Sequence, residues 1–393
     1  MTDNNIFDRL TDRRGSGSYK WDVAEGELPM WVADMDFETA PAVRAALEKR
    51  AAHGIFGYSV IPDEYFSSLA DYREARDGYR PSPEKMIYVS GVVAAISSLV
   101  RRFSEVGESV LIQAPVYNIF YNSILNNKRK VLSSDLIYEN GGYRVDFSDL
   151  EAKLSRPDVR LMILCNPHNP VGRVWSAEEL SRIGELCSLH GVRVISDEIH
   201  CDFIRPGVKF TPFAAASDTC RKISLTCLSA SKTFNLAGLQ SAALSVYDDE
   251  LRRIAYRAVN DDEVGEPNSF SMSACIAAYT EGREWVDSLV EYVFENRRIV
   301  EAELARRLPR LKVVSADATY LCWIDISAYE EDSVAFVEKL RRASGLYLSD
   351  GAEYGACARG FVRMNLATQR ARIFDGIERL CSGVGEIYEK NSK

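Results

Sequence analysis

Five stretches of this chain carry side chains suited to chemistry, and each comes just after a short apolar run. Ser90-Gly91 follows "MIYV" and opens a helical pattern, "VVAAISSLVRRF". A glycine turn at a helix start presents free N–H groups to a phosphate. Tyr117 follows "SVLIQAP" and has the flat face needed to stack on a ring. Asn169 lies in the turn-rich "CNPHNPVGRVW", where it can hydrogen-bond a ligand oxygen; His168 beside it reads as a turn residue rather than a base. "DEIH" after "VRVIS" offers Asp197, Glu198 and His200. A carboxylate there can hold a proton on a heteroaromatic nitrogen, and periodicity does not separate Asp197 from Glu198. Last comes "LSASKTFNLAGL", with Ser229, Ser231 and Lys232. A lysine at the end of a buried strand loses hydration, its pKa falls, and its amine becomes a nucleophile able to form Schiff bases.

These positions need a frame. The apolar runs "MIYVSG", "SVLIQAP", "VRLMILCNP", "VRVISDE", "ISLTCLSA" and "SAALSVYD" read as strands buried on both faces, which is the signature of a parallel sheet. Between them, "SAEELSRIGELCSLHG" carries the Ser176/Glu179 spacing of a capping box, an apolar helical period and a stop at Gly191. Alternating strands and helices predict an α/β domain, whose ligands bind beyond the carboxyl ends of the strands. After about residue 280 the pattern changes. "REWVDSLVEYVFENRRIVEAELARRL" predicts a long amphipathic helix, followed by "TYLCWIDI", a helix around "SVAFVEKLRRA", and "GFVRMNLA". We expect a large domain over 46–285 and a smaller α+β domain formed by 286–393 together with the N-terminal segment 1–45.

The chain has 393 residues, too many for one compact core. A formal charge of -9 argues against a general nucleic-acid binder. The polar N-terminal stretch lacks the apolar core of a signal peptide, and no run is long enough to span a membrane, so a cytoplasmic protein with no membrane partner is expected. Nine scattered cysteines without a C-x-x-C pair, and only four histidines, argue against zinc.

The strings "LPMWVADMDFETAP", "FGYSV", "SGVVAAIS", "CNPHNPVGRVW", "SDEIHCDF", "SASKTFNLAGLQ" and "FVRMNLA" together resemble the cystathionine β-lyase group of fold-type I enzymes dependent on pyridoxal 5'-phosphate (PLP). The resemblance runs over nearly the whole chain. It implies an α/β fold with a mostly parallel seven-stranded sheet. It implies cleavage of the carbon–sulfur bond of L-cystathionine, or a related S-substituted L-cysteine, to a thiol, pyruvate and ammonia. By the same resemblance Lys232 holds PLP, Asp197 pairs with the pyridinium nitrogen, Asn169 and His200 face the phenolic oxygen, and Tyr117 stacks on the ring. Many relatives carry tyrosine where this chain has His200. Gly91, Val92 and Ser229 fall at phosphate-binding positions, with Ser231 a further candidate. Arg363 matches the grip on the substrate α-carboxylate, with Asn169 and the backbone of Ala33 nearby. Tyr58 matches a tyrosine that reaches the neighbouring subunit's phosphate, which implies a homodimer with shared active sites; Asn268 and Ser271 are further interface candidates. Many aminotransferases have an arginine eight residues past the lysine. This chain has Gln240 there, as the β-lyase group does. An aminotransferase, and a regulatory protein that keeps the fold, are the competing readings.

Overall fold

The computed structural model describes residues 5–389, so the first four residues of the polar N-terminal stretch lie outside it. Its centre is a seven-stranded sheet. The strands are β1 (Met86–Val89), β2 (Ser109–Ile112), β3 (Lys130–Ser133), β4 (Val159–Cys165), β5 (Arg193–Asp197), β6 (Ser224–Leu228) and β7 (Ala242–Ser245), in the order β1-β7-β6-β5-β4-β2-β3. All pairs are parallel except those made by β7, which runs antiparallel to β1 and β6. Six of these strands are the six apolar runs of the sequence. The seventh, β3, was not among them: "KVLS" is short, lies at the sheet edge and is largely accessible to solvent, so it lacks the apolar signature.

Helices cover both faces of the sheet. Helix α1 (Val92–Phe103) starts at Gly91, whose φ of 110° is open to glycine and closed to most L residues. Helix α2 (Asn118–Asn126) starts just after Tyr117. Helix α3 (Ala177–Leu189) has the predicted capping box, with the Ser176 hydroxyl accepting from the Glu179 N–H and the Glu179 carboxylate accepting from the Ser176 N–H. The chain leaves it through Gly191 at φ 68°. Helices α1 and α3 therefore begin or end where the sequence supplies the backbone freedom or the cap they need.

Helix α4 (Arg283–Arg307) is the long predicted helix. Its first half packs Trp285, Leu289 and Val293 against the helices beside the central sheet, and its second half packs Val300 and Leu304 into a separate core. That second core lies under an antiparallel sheet of β8 (Lys312–Val313), β9 (Leu321–Asp325), β10 (Ser349–Asp350) and β11 (Phe361–Asn365), in the order β8-β9-β11-β10. Helices α5 (Ser333–Ser344) and α6 (Arg370–Val384) pack on it.

The N-terminal segment joins both cores. Leu28–Pro29 pairs with Leu346–Tyr347, and Trp21, Leu28 and Met30 enter the second core. Phe7, Met35 and Phe37 instead pack with Trp285 and Tyr292 beside the large sheet. A buried ion cluster pins this strap. The Asp36 carboxylate accepts from Lys20 Nζ (2.9 Å), an Arg13 guanidinium nitrogen (2.9 Å) and Trp21 Nε1 (2.8 Å). Burial alone would push the Asp36 carboxyl up; the Lys20 ammonium and these donors outweigh it and hold it at about 2. Among the described residues no helix is long and apolar enough to cross a membrane.

Candidate active site

The carboxyl ends of β1, β2, β4, β5 and β6 converge on one cavity of about 460 Å³. Gly91, Val92, Tyr117, Asn169, Asp197, His200, Ser231, Lys232 and Ala33 all line it. Residues separated by up to 199 positions in sequence are thus brought together by the strand order and, for Ala33, by the N-terminal strap.

Lys232 sits on the turn that follows β6, and its Nζ donates to the Ala33 carbonyl at 2.7 Å. Burial, reinforced by the Arg363 guanidinium, lowers its pKa to about 8 despite the opposing carboxylates of Asp34 and Asp197. The adjacent residues are tied down. Thr233 Oγ1 donates to buried Asp202 (2.6 Å), which also accepts from Arg73 (2.8 Å). Asn235, in the left-handed region at φ 58°, accepts from the Met35 N–H (3.0 Å) and donates to the Met35 and Phe37 carbonyls (2.9 and 3.2 Å). The lysine turn and the N-terminal strap are therefore one rigid unit.

Asp197 and Glu198 are separated by strand alternation. Asp197 lies on the cavity floor, where its carboxylate accepts only the Ile199 N–H, at 3.2 Å. Burial pushes its pKa up to about 6. Glu198 points away, accepting from the Ser196 hydroxyl (2.9 Å) and the Phe213 N–H (2.8 Å), and is structural. His200 is buried and neutral, its pKa pushed down to about 3 by burial and by Lys232 and Arg363; its Nδ1 has no partner among the described residues. His168 is a turn residue, as its sequence context suggested: its Nε2–H donates to the Pro115 carbonyl (2.9 Å) and braces the β4 loop against the β2 loop.

Arg363 on β11 is buried and contacts Asn169, one of the residues that line the cavity. One guanidinium nitrogen donates to Asn169 Oδ1 (3.2 Å) and the other to the Trp31 carbonyl (3.0 Å), with the Tyr354 ring 4.9 Å away. Asn365, two residues on, donates to the Val32 and Asp34 carbonyls (2.5 and 2.6 Å) and fixes the strap that carries Ala33.

Besides Arg363, four sequence-expected residues do not line the cavity of this chain. Ser229 does not line it; its hydroxyl donates to the Ser241 carbonyl (2.7 Å) and accepts from the Ser231 N–H (3.0 Å), so it shapes the turn that presents Ser231. Tyr58 is fully exposed and does not line its own chain's cavity. Asn268 and Ser271 are engaged within their own chain: Asn268 Oδ1 accepts from the Phe270 and Ser271 N–H groups, and Ser271 is fully buried. Sequence reasoning missed Tyr320, whose hydroxyl donates to the Ala33 carbonyl at 3.0 Å, and Asn235. The first lies inside an apolar run and gave no polar signal. The second was legible, because asparagine tolerates positive φ.

The cavity fits PLP on its own terms. Gly91 leaves open space where a side chain would stand, and the first N–H groups of α1 face it. At the other end a buried carboxylate lacks a cation, and a buried imidazole nitrogen lacks a partner.

The two layers and the lysine-centred cavity at the sheet's carboxyl edge define a PLP-dependent enzyme of fold-type I. The chain belongs to the aminotransferase class I and II family, whose model matches residues 28–380. It is 42% identical to cystathionine beta-lyase PatB of Bacillus subtilis over 95% of this chain and 98% of that protein. It is 33% identical to protein MalY of Escherichia coli over 97% and 99%. Among solved structures, cystalysin from Treponema denticola, which contains a pyridoxal 5'-phosphate cofactor, superposes with a TM-score of 0.93 at 30% identity, over 97% of this chain and 99% of that one.

Proposed function

We infer that this protein is a PLP-dependent carbon–sulfur β-lyase acting on L-cystathionine or a related S-substituted L-cysteine. The observation that carries this reading is the placement of the Lys232 amine, the Asp197 carboxylate and Asn169 in one cavity, with the Arg363 fork hydrogen-bonded to Asn169.

The residues divide the work. With PLP bound, Lys232 would hold the cofactor, the Gly91–Val92 turn and Ser231 would receive its phosphate, Tyr117 would offer its ring face, and Asp197 and His200 would serve its nitrogen and phenolic oxygen. Bound PLP supplies an electron sink for negative charge at the substrate Cα. Arg363 takes the α-carboxylate as a planar fork, which fixes the substrate's orientation. Its present partners, Asn169 Oδ1 and the Trp31 carbonyl, are single acceptors that a carboxylate replaces. The free Lys232 amine, held beside the substrate, would remove the Cα proton at close range. A pKa near 8 leaves a usable fraction of it neutral at physiological pH. The thiolate leaves Cβ and takes a proton, for which the Lys232 ammonium is the nearest donor. With one water, the remaining three carbons and nitrogen leave as pyruvate and ammonia.

Gln240 at the cavity rim favours this chemistry over transamination, in keeping with the β-lyase pattern. The test is turnover of L-cystathionine without any 2-oxo acid. Pyruvate formed under those conditions supports the lyase. Turnover that needs 2-oxoglutarate and yields glutamate would make the protein an aminotransferase.

The homodimer belongs to the same proposal. The irregular segment 54–62 exposes Ile55, Phe56, Tyr58 and Val60 together, an apolar stretch that a second copy would cover, carrying Tyr58 toward the partner's phosphate site. The nine cysteines are unpaired, which suits a reducing cytoplasm. The division into 46–285 and 1–45 with 286–393 is supported by a core made only of the latter residues, although residues 33–45 pack toward the larger domain and Trp323, Tyr354 and Phe361 pack with large-domain residues.

A further inference from the structure

The Ala33 carbonyl is shared. It accepts from Lys232 Nζ at 2.7 Å and from the Tyr320 hydroxyl at 3.0 Å, and both donors come from elements far from it in sequence. Tyr320 is fully buried just before β9. Its ring stands edge-on to Phe203 (centroids 4.7 Å apart) and to His200 (5.7 Å). Its backbone is anchored on both sides: the Thr319 N–H donates to the Phe203 carbonyl (2.8 Å) and the Leu366 N–H donates to the Tyr320 carbonyl (2.8 Å). The Tyr320 side chain thus touches the strap and the His200 loop, and its backbone joins the segment that follows Arg363.

We propose that Tyr320 is a positioning residue for Lys232: its hydroxyl fixes the Ala33 carbonyl as the resting place of the free lysine amine and weakens that carbonyl's hold on the protonated form. The physical basis is competition. A carbonyl oxygen binds an ammonium more strongly than a neutral amine, so it favours the charged lysine. A second donor on the same oxygen draws off part of that acceptor capacity, and the amine is freer to act as a base. The other charges facing Lys232 are the Arg363 guanidinium, which favours the neutral amine, and the Asp34 and Asp197 carboxylates, which favour the ammonium; His200 beside it is neutral. Asp34 is itself occupied by Arg13, at 2.8 Å. Tyr320 is the uncharged contributor in that set, and it acts through Ala33 alone. The inference rests on the proposed role of Lys232 as the base.

The experiment titrates the lysine directly. Full-length protein is stripped of cofactor, and Lys232 is methylated with formaldehyde and cyanoborohydride across a pH series, with its labelling rate read by peptide mass spectrometry. In Tyr320→Phe the midpoint of the labelling curve should move up by about 0.5–1 pH unit. The PLP-loaded variant should lose roughly three- to tenfold in kcat at pH 7, with KM little changed and the acid limb of its pH profile displaced the same way. Thermal unfolding verifies that the variant is folded; should it not be, Tyr320→Leu removes the hydroxyl in a smaller side chain and is read identically. An unchanged labelling midpoint in a folded variant overturns the inference, even if stability falls. A shifted midpoint in a protein that proves to have no lyase activity would leave the positioning role standing and remove the proposed function instead.

Discussion

Asp197 is a buried carboxylate with one backbone hydrogen bond and no cation in contact, and that makes it costly until a ligand pairs with it. Its pKa, pushed up to about 6 by burial, has a definite consequence for stability. A group whose folded pKa lies above its unfolded value stabilises the fold below the unfolded pKa, and that contribution disappears as pH rises through the folded pKa. Between about pH 4 and 6 the cofactor-free protein should therefore lose about 3 kcal/mol that Asp197→Asn does not lose. Thermal melts of both cofactor-free proteins across that window check it: the variant's advantage should grow with pH. PLP should remove most of the difference at pH 7, because a protonated ring nitrogen gives the wild-type carboxylate its partner.

The turn that carries Lys232 is anchored by packing, with Phe234 buried and stacked on Trp285, and by hydrogen bonds. Asn235 makes three of them to the Met35–Phe37 strap, from a backbone conformation that alanine adopts with strain. Asn235→Ala should cost about 1–3 kcal/mol of stability. It should also lower kcat more than it raises KM, since the strap presents Ala33 to the lysine; steady-state kinetics and chemical denaturation measure the two effects separately. At this scale the sequence was informative where an element is buried or capped. The six buried strands, the capping box at Ser176 and the 25-residue helix α4 all carry periodic or capping signals, whereas the edge strand β3 carries neither. Tyr320 was illegible for the related reason that a tyrosine in an apolar run looks like core, and only the fold shows its hydroxyl turned to a carbonyl across the site.

For the whole molecule, the two cores are bridged by α4 and by an N-terminal strap that is threaded between them and locked by the Asp36 cluster. That long-range placement was the least legible feature, because the residues involved are 200 to 330 positions apart in sequence and share no local pattern. The same holds for Tyr58, whose proposed role depends on a second copy of the chain. If the site is shared between subunits, Lys232→Ala and Tyr58→Phe proteins, each impaired alone, should regain activity when mixed under conditions that exchange subunits, because one site in each mixed dimer keeps both residues. Absence of regain with exchange verified by mass spectrometry would count against a shared site.

The central claim is elimination at a carbon–sulfur bond by Lys232, and product stoichiometry tests it most directly. PLP-loaded protein is incubated with L-cystathionine and no 2-oxo acid, with pyruvate followed through a coupled dehydrogenase and free thiol through a colorimetric reagent. The account predicts equal amounts of pyruvate and thiol over many turnovers, and a loss of several orders of magnitude in Lys232→Ala, together with its visible cofactor absorbance. Pyruvate without thiol, no product from L-cystathionine and the other S-substituted cysteines, or undiminished turnover in Lys232→Ala would contradict it.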